Sequence, residues 1–385
     1  MKQGGGIYLD FAAATPVDET VLQAMQPFLT QQFYNPSADY QAARNIKRTL
    51  NEARASVASY LGAKPGELFF CAGGTEANNL AIKGVMDLYP EAKVLTSSIE
   101  HESVLAPAKR YRRTLINVDP KGRIDLEHLT ASIDDSVVLV SVMYANNEVG
   151  TIQPLKQIGA IIAKVRAERK EAKNKLPLLF HTDACQAANY LDLHVSRLGV
   201  DLMTLNGGKI YGPKQSAVLF VKRGTFLQPL IDGGGQELGI RSGTENVAAD
   251  IGFAHALKLA QSQRDKQNAE TAKLRDYFIE QLQKEIKTAV INGSLNQRLA
   301  NNIHVSFTGA DNEVLLMALD QAGIMAAAGS ACSAAHAESS HVLLAMGLSD
   351  AQARSSLRFS LGRTSQKVDI ERTISVLKTL VEWLP

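Results

Sequence analysis

Residues 67–84 read ELFFCAGGTEANNLAIKG. The apolar run at residues 67–72 predicts a strand. Gly73, Gly74 and Thr75 predict a tight turn with Thr75 as helix cap, and a helix follows through Leu80, Ala81 and Gly84. Working outward, the same alternation recurs. Residues 93–97 (KVLTS), 137–143 (VVLVSVM), 177–183 (PLLFHTD), 202–205 and 217–221 (AVLFV) predict further strands between helical patterns. Residues 137–143 are apolar without alternation, as in a strand covered on both faces. The pattern predicts an α/β fold with a mainly parallel sheet flanked by helices, whose ligand sites lie at the carboxyl ends of strands.

Beyond residue 261 the text turns helical. Leu274, Phe278, Leu282 and Ile286 form one apolar stripe. Residues 302–308 and 357–361 then alternate, which predicts a smaller α+β domain with a half-exposed sheet. Its second strand points Arg358 away from the apolar face. The charged stretch 164–175 reads as a solvated helix face.

The chain has 385 residues, 45% hydrophobic and 21% charged, with 41 Lys plus Arg against 39 Asp plus Glu. That is ordinary globular composition, long enough for two or three domains. A net charge of +2 supplies no global drive toward nucleic acid. No apolar run reaches the ~18 residues of a membrane span, and the first 16 residues do not read as a signal peptide. Three separated cysteines, Cys71, Cys185 and Cys332, argue against a disulfide framework and for a reducing, cytoplasmic setting. Cys71 and Cys185 read as incidental small residues. Cys332, His336 and His341 are too sparse to predict a metal site, and none is expected.

Three segments carry chemistry. The Gly-Gly-Thr turn would aim N–H groups and a helix N-terminus at a phosphate. Asp183 ends an apolar run, where a buried carboxylate needs a partner, such as a cationic ring nitrogen. His181 shares its parity and reads as a support. Lys209 sits among glycines after a strand, where partial burial would lower its pKa and free the amine for a Schiff base. Together the three point to pyridoxal phosphate. Residues 326–335 are all Ala, Gly, Ser or Cys, so Cys332 is expected on a loop of little buried area.

These segments, taken in order, resemble a cysteine desulfurase of the NifS/IscS type within the class V aminotransferase family. The resemblance rests on YLDFAAATP (8–16), FYNPSA (33–38), GGTEANNLAIKG (73–84), SSIEHESV (97–104) and MYANNEVG (143–150). It continues through HTDACQ (181–186), NGGKIYGPK (206–214), GGGQELGIRSGTENV (233–247), GSACSAA (329–335), VLLAMGL (342–348) and SSLRFSLGR (355–363). It implies the type I fold of pyridoxal-phosphate enzymes in a homodimer. The large cofactor domain would span residues 15–260. Residues 1–14 and 261–385 would form the small domain, with the cysteine loop at about 326–338.

The resemblance also implies roles. Lys209 would join the cofactor covalently, Asp183 would face the ring nitrogen, Gln186 the ring oxygen, and His101 would stack on the ring and move protons. Gly74, Thr75, Asn206 and Gly208 would surround the phosphate, with Thr244 reaching in from the neighbouring subunit. Asn35, Asn147 and Arg358 would meet the substrate, Asn147 touching the cofactor as well and Arg358 clamping the substrate carboxylate. Cys332 would take sulfur from L-cysteine as a persulfide, releasing alanine. It would then pass the sulfur to an acceptor protein of iron–sulfur assembly or tRNA thiolation. One departure stands out: the family's Ser-Gly-His before the lysine is here Asn206-Gly207-Gly208. It motivates a rival reading as a weakly active paralogue with a binding or regulatory role. A selenocysteine lyase is the rival among enzymes.

Overall fold

In the computed structural model, residues 6–329 and 339–382 are described. Strand Leu68–Cys71 runs into Gly73, and helix Gly74–Met86 follows. Thr75 therefore lies inside the first turn and is not its cap. Gly73 holds the cap position, and no side chain closes the helix end, which leaves the first-turn N–H groups facing a cleft.

Seven strands form the large sheet. Their order is Leu68–Cys71, Ala217–Val221, Leu202–Asn206, Leu179–Asp183, Val137–Ser141, Lys93–Ser97, Arg112–Ile116. Only Ala217–Val221 runs antiparallel to its two neighbours; the other pairings are parallel. Period-two alternation sorts the side chains to two cores. Leu68, Phe70, Met203, Leu205, Val218 and Phe220 share one core with helix Gln41–Leu61. Phe69, Cys71, Leu202, Leu219 and Val221 share the other with helix Gly74–Met86. Apolar cover on both faces is why these strands read as continuous hydrophobic runs.

The second sheet is antiparallel, in the order Ser356–Ser360, Asn302–Phe307, Ala289–Ile291. Ile303, Val305, Phe307, Leu357 and Phe359 pack on Phe278 and Leu282 of helix Arg264–Glu285 and on Ile370 and Leu377. The opposite face carries Asn302, His304, Ser306, Arg358 and Ser360. It is buried as well, against the expectation of a half-exposed sheet. The reason is a polar seam with the rest of the chain. Asn302 Nδ2 donates to the Glu148 carbonyl at 2.7 Å, and Ala12 N–H donates to Ser360 Oγ at 2.8 Å. Within that seam His304 is pushed down to about 3 by burial and by the Arg298 and Arg358 charges.

The charged helix Leu155–Glu171 is solvated along Lys164 and Glu168, but Arg169 is buried and donates to the Asp134 and Val137 carbonyls at 2.7 and 2.8 Å. The short strand Ile7–Tyr8 joins Ile324–Met325 in parallel. No described helix is long and apolar enough to cross a membrane.

Candidate active site

Strand ends of the large sheet and the polar seam enclose a cleft with two ends. One cavity of about 240 Å³ is lined by His101, Asn147, Asp183, Gln186, Lys209 and Arg358, among others. A second, of about 390 Å³, adds Gly208, Lys214 and Gln215. Both share Gly74, Thr75, Asn206 and Lys209.

Asp183 closes strand Leu179–Asp183 and is 8% exposed. Its Oδ1 accepts from the Cys185 N–H at 2.9 Å and its Oδ2 from Asn78 Nδ2 at 2.6 Å. No cationic side chain forms an ion pair with it among the described residues. A buried carboxylate that faces a cavity and has no ion-pair partner among the described residues matches the needs of a cationic ring nitrogen. Asn78 Nδ2 also lies 2.8 Å from Ser103 Oγ, which is 2.8 Å from His101 Nδ1. The same Nδ1 accepts from the Ser103 N–H at 3.0 Å, as the cap of helix Glu102–Ala108. That bond places the neutral ring's proton on Nε2. Asn78 thus ties Asp183 to His101. His181 does not line the cavity. It sits buried between Ser141 Oγ at 2.8 Å and Thr204 Oγ1 at 3.2 Å, and burial pushes it down to about 4.

Lys209 ends the Gly-Gly-Lys turn that follows strand Leu202–Asn206. Its Nζ donates to the Ala12 and Ala13 carbonyls at 3.0 and 2.5 Å. Burial holds its pKa below the ordinary lysine range, and the Arg358 charge pushes the same way. Gln186 Nε2 donates to the same Ala12 carbonyl at 3.0 Å. Cys185, read from sequence as incidental, lines the cavity; burial and the Asp183 charge push its thiol well up, so it stays neutral.

At the other end, Asn206 Oδ1 accepts from the Gly208 N–H at 2.9 Å. A Cβ on Gly74 would meet Cys185 Sγ at 3.0 Å and Asn206 Nδ2 at 3.2 Å, so this corner suits glycine. A Cβ on Gly208 would have ordinary room, its nearest neighbours being Asn206 Oδ1 at 3.4 Å and the Lys214 stem at 3.6 Å. Thr75, Lys214 and Gln215 are exposed here. An amine, a buried acid and an N–H-rich helix end in one cleft fit an aldehyde-bearing pyridine with a phosphate arm.

Asn147 lines the cavity, and its carbonyl accepts from Arg358 Nη1 at 3.0 Å. Asn35 and Thr244 do not line either cavity within this chain. Asn35 is exposed and its Oδ1 accepts from the Ser37 N–H, while Thr244 is exposed. Cys332 and His336 lie outside the described residues. His341 is described: its Nε2 lies 3.0 Å from the Glu100 carbonyl. Among the described residues no group of His, Cys, Asp or Glu is arranged to hold a metal. Sequence reasoning missed Asn78 and Ser103. The signal for Asn78 was its spacing, one helical turn after Thr75 on the face that meets the cleft.

The aminotransferase class-V family model matches residues 7–373. The chain is 40% identical to "Cysteine desulfurase IscS" of Dictyoglomus turgidum, covering 98% of this chain and 95% of that protein. The protein of the same name from Methanosarcina thermophila is also 40% identical, over 98% and 92%. Among solved structures, a "NifS-like protein" aligns with a TM-score of 0.89 at 30% identity, covering 99% of this chain and all of that one. SspA in complex with cysteine aligns at 0.79 and 33% identity, over 92% and 98%.

Proposed function

The chain belongs to the aminotransferase class-V family, among its cysteine desulfurases, and on that premise we propose that it binds pyridoxal 5′-phosphate and takes sulfur from L-cysteine. The observation that carries the reading is the shared cavity of Lys209, Asp183 and Arg358: a desolvated amine, a buried acid and a guanidinium lining one space.

When bound, pyridoxal phosphate supplies an aldehyde that joins amines and a ring that takes up electrons. The protein's own groups do the rest. Asp183, oriented by Asn78 and the Cys185 N–H, would hold the ring nitrogen's proton. Lys209 would be the residue that joins the aldehyde, and its amine, held below the ordinary lysine range, suits a group that accepts and returns a proton. His101 would pack on the ring and share in proton movement, and Gln186 would meet the ring oxygen. Gly74, Thr75, Asn206 and Gly208 would hold the phosphate, and Thr244 of a second copy would complete that end. Arg358 and Asn147 hold the substrate, with Asn35 at its outer side.

The thiolate of Cys332 attacks the substrate sulfur. The carbon–sulfur bond breaks, a sulfur–sulfur bond forms, and the carbon keeps the electron pair and gains a proton, giving alanine and a persulfide. No outside oxidant is needed. The protein works as a cytoplasmic homodimer of two-domain subunits, residues 15–260 and residues 1–14 with 261–385. Its persulfide goes to an acceptor protein of iron–sulfur assembly or tRNA thiolation.

The test is the purified protein's visible absorbance with sulfide and alanine release from L-cysteine. The yellow band is lost in Lys209→Ala, while Cys332→Ser keeps the band and loses sulfide release. A colourless protein that does not take up pyridoxal phosphate overturns the reading. Faster turnover of selenocysteine than of cysteine would reassign the substrate.

A further inference from the structure

Among the described residues Arg358 is the largest fully buried side chain, 2% exposed, on a strand whose polar face is buried. A guanidinium so placed is costly unless it is paired or hydrogen-bonded. The counter-charge is already inside the protein: Nη2 donates to Asp10 Oδ1 at 2.7 Å. Nη1 is taken by the Asn147 carbonyl, and Nε is buried with no partner. Asp10 itself is 19% exposed and its backbone is pinned. Ser360 N–H donates to the Leu9 carbonyl at 2.7 Å, and Tyr8 Oη donates to the Asp10 carbonyl at 2.9 Å. The carboxylate is therefore held in place against the guanidinium.

Resting on the assignment of Arg358 to the substrate carboxylate, we infer that Asp10 is a resident carboxylate that competes with the substrate's own for Arg358, so that it sets substrate affinity. A second carboxylate reaching this guanidinium meets an anion already there. It must share the guanidinium or push Asp10 aside, and either weakens its hold. Asp10 keeps a buried cation paired while the cavity is empty. It acts through Arg358 as a positioning residue, not a catalytic one.

Asp10→Asn keeps the shape and one acceptor but removes the charge. The KM for L-cysteine should fall on the order of tenfold, with kcat unchanged. Asp10→Glu keeps the charge, so its KM should not fall. An unchanged or higher KM in Asp10→Asn, or an equal fall in both variants, overturns the inference. The native holoenzyme offers a second measurement, the shift of its visible band on titration with L-alanine and with L-alaninamide, which lacks the carboxylate. With Asp10 in competition the two should differ by less than about tenfold; a hundredfold preference for L-alanine overturns the inference. Arg358→Lys separates the two claims. If it leaves the KM for L-cysteine unchanged, the assignment of Arg358 fails and the inference with it. If it raises that KM while Asp10→Asn changes nothing, only the inference fails.

Discussion

At the Asp183 end of the cleft, Asn78, Ser103 and Asp183 are all buried, and the Asn78 amide links the other two side chains. At the Thr75 end, Thr75, Lys214 and Gln215 are exposed, and water can serve their polar atoms. The difference teaches where substitution is tolerated. A buried network has no solvent to replace a lost partner, whereas an open cradle loses only the net value of each bond. The departure Asn206-Gly207-Gly208 falls at the open end.

The sharpest way to break this contrast is at the acid. Asp183→Asn should cut turnover by roughly 10²–10³-fold while cofactor stays bound through the phosphate arm. Equal loss of turnover and of colour would erase the difference between the ends.

A pH series probes the buried end next. His181 ionises at about 4 in the folded chain and near its ordinary value when unfolded. The unfolded chain thus binds more protons between these values, and stability falls as pH drops from about 6.5 toward 4. His181→Asn should flatten that limb by on the order of 3 kcal/mol, read from urea midpoints at pH 7 and 4.5. His304 keeps part of the slope. Glu100 acts in the opposite sense. Burial pushes it to about 8, so its contribution is full below the ordinary carboxylate range and lost as pH rises through 8.

Asn78→Ala should lower turnover by about tenfold, with the absorbance of the bound cofactor changing its pH dependence. Smallest is a change at the open end. Gly208→His with Asn206→Ser restores the family's residues where a Cβ has room. It should tighten pyridoxal phosphate a few-fold, by about 1 kcal/mol, in an absorbance titration of the stripped protein.

The large sheet was legible because strands covered on both faces leave unbroken apolar runs. Lys209 and Asp183 were legible because a polar residue at the end of such a run is conspicuous. Other features were hidden for physical reasons. The polar face 302–306 and 356–360 alternates as an exposed face does, and only the seam with residues 146–151 buries it. Cys185 has the size of an alanine neighbour and gives no periodic signal. Asp10 is defined by an ion pair to a residue 348 positions away, which no local pattern encodes. Thr75 lost the cap to Gly73 because the helix starts two residues earlier than the turn chemistry implied.

Asp10 and Ala12 find their partners in a strand 348 positions away. Ala12 meets Ser360 and Asp10 meets Arg358, while the Lys209 Nζ donates to the Ala12 and Ala13 carbonyls. Without strand Ser356–Ser360 the opening segment would keep its pairing with Ile324–Met325, but Asp10 and Ala12 would lose their partners. The wall beside the Lys209 amine is thus sealed by contacts between positions hundreds of residues apart, the kind that are slow to form in folding.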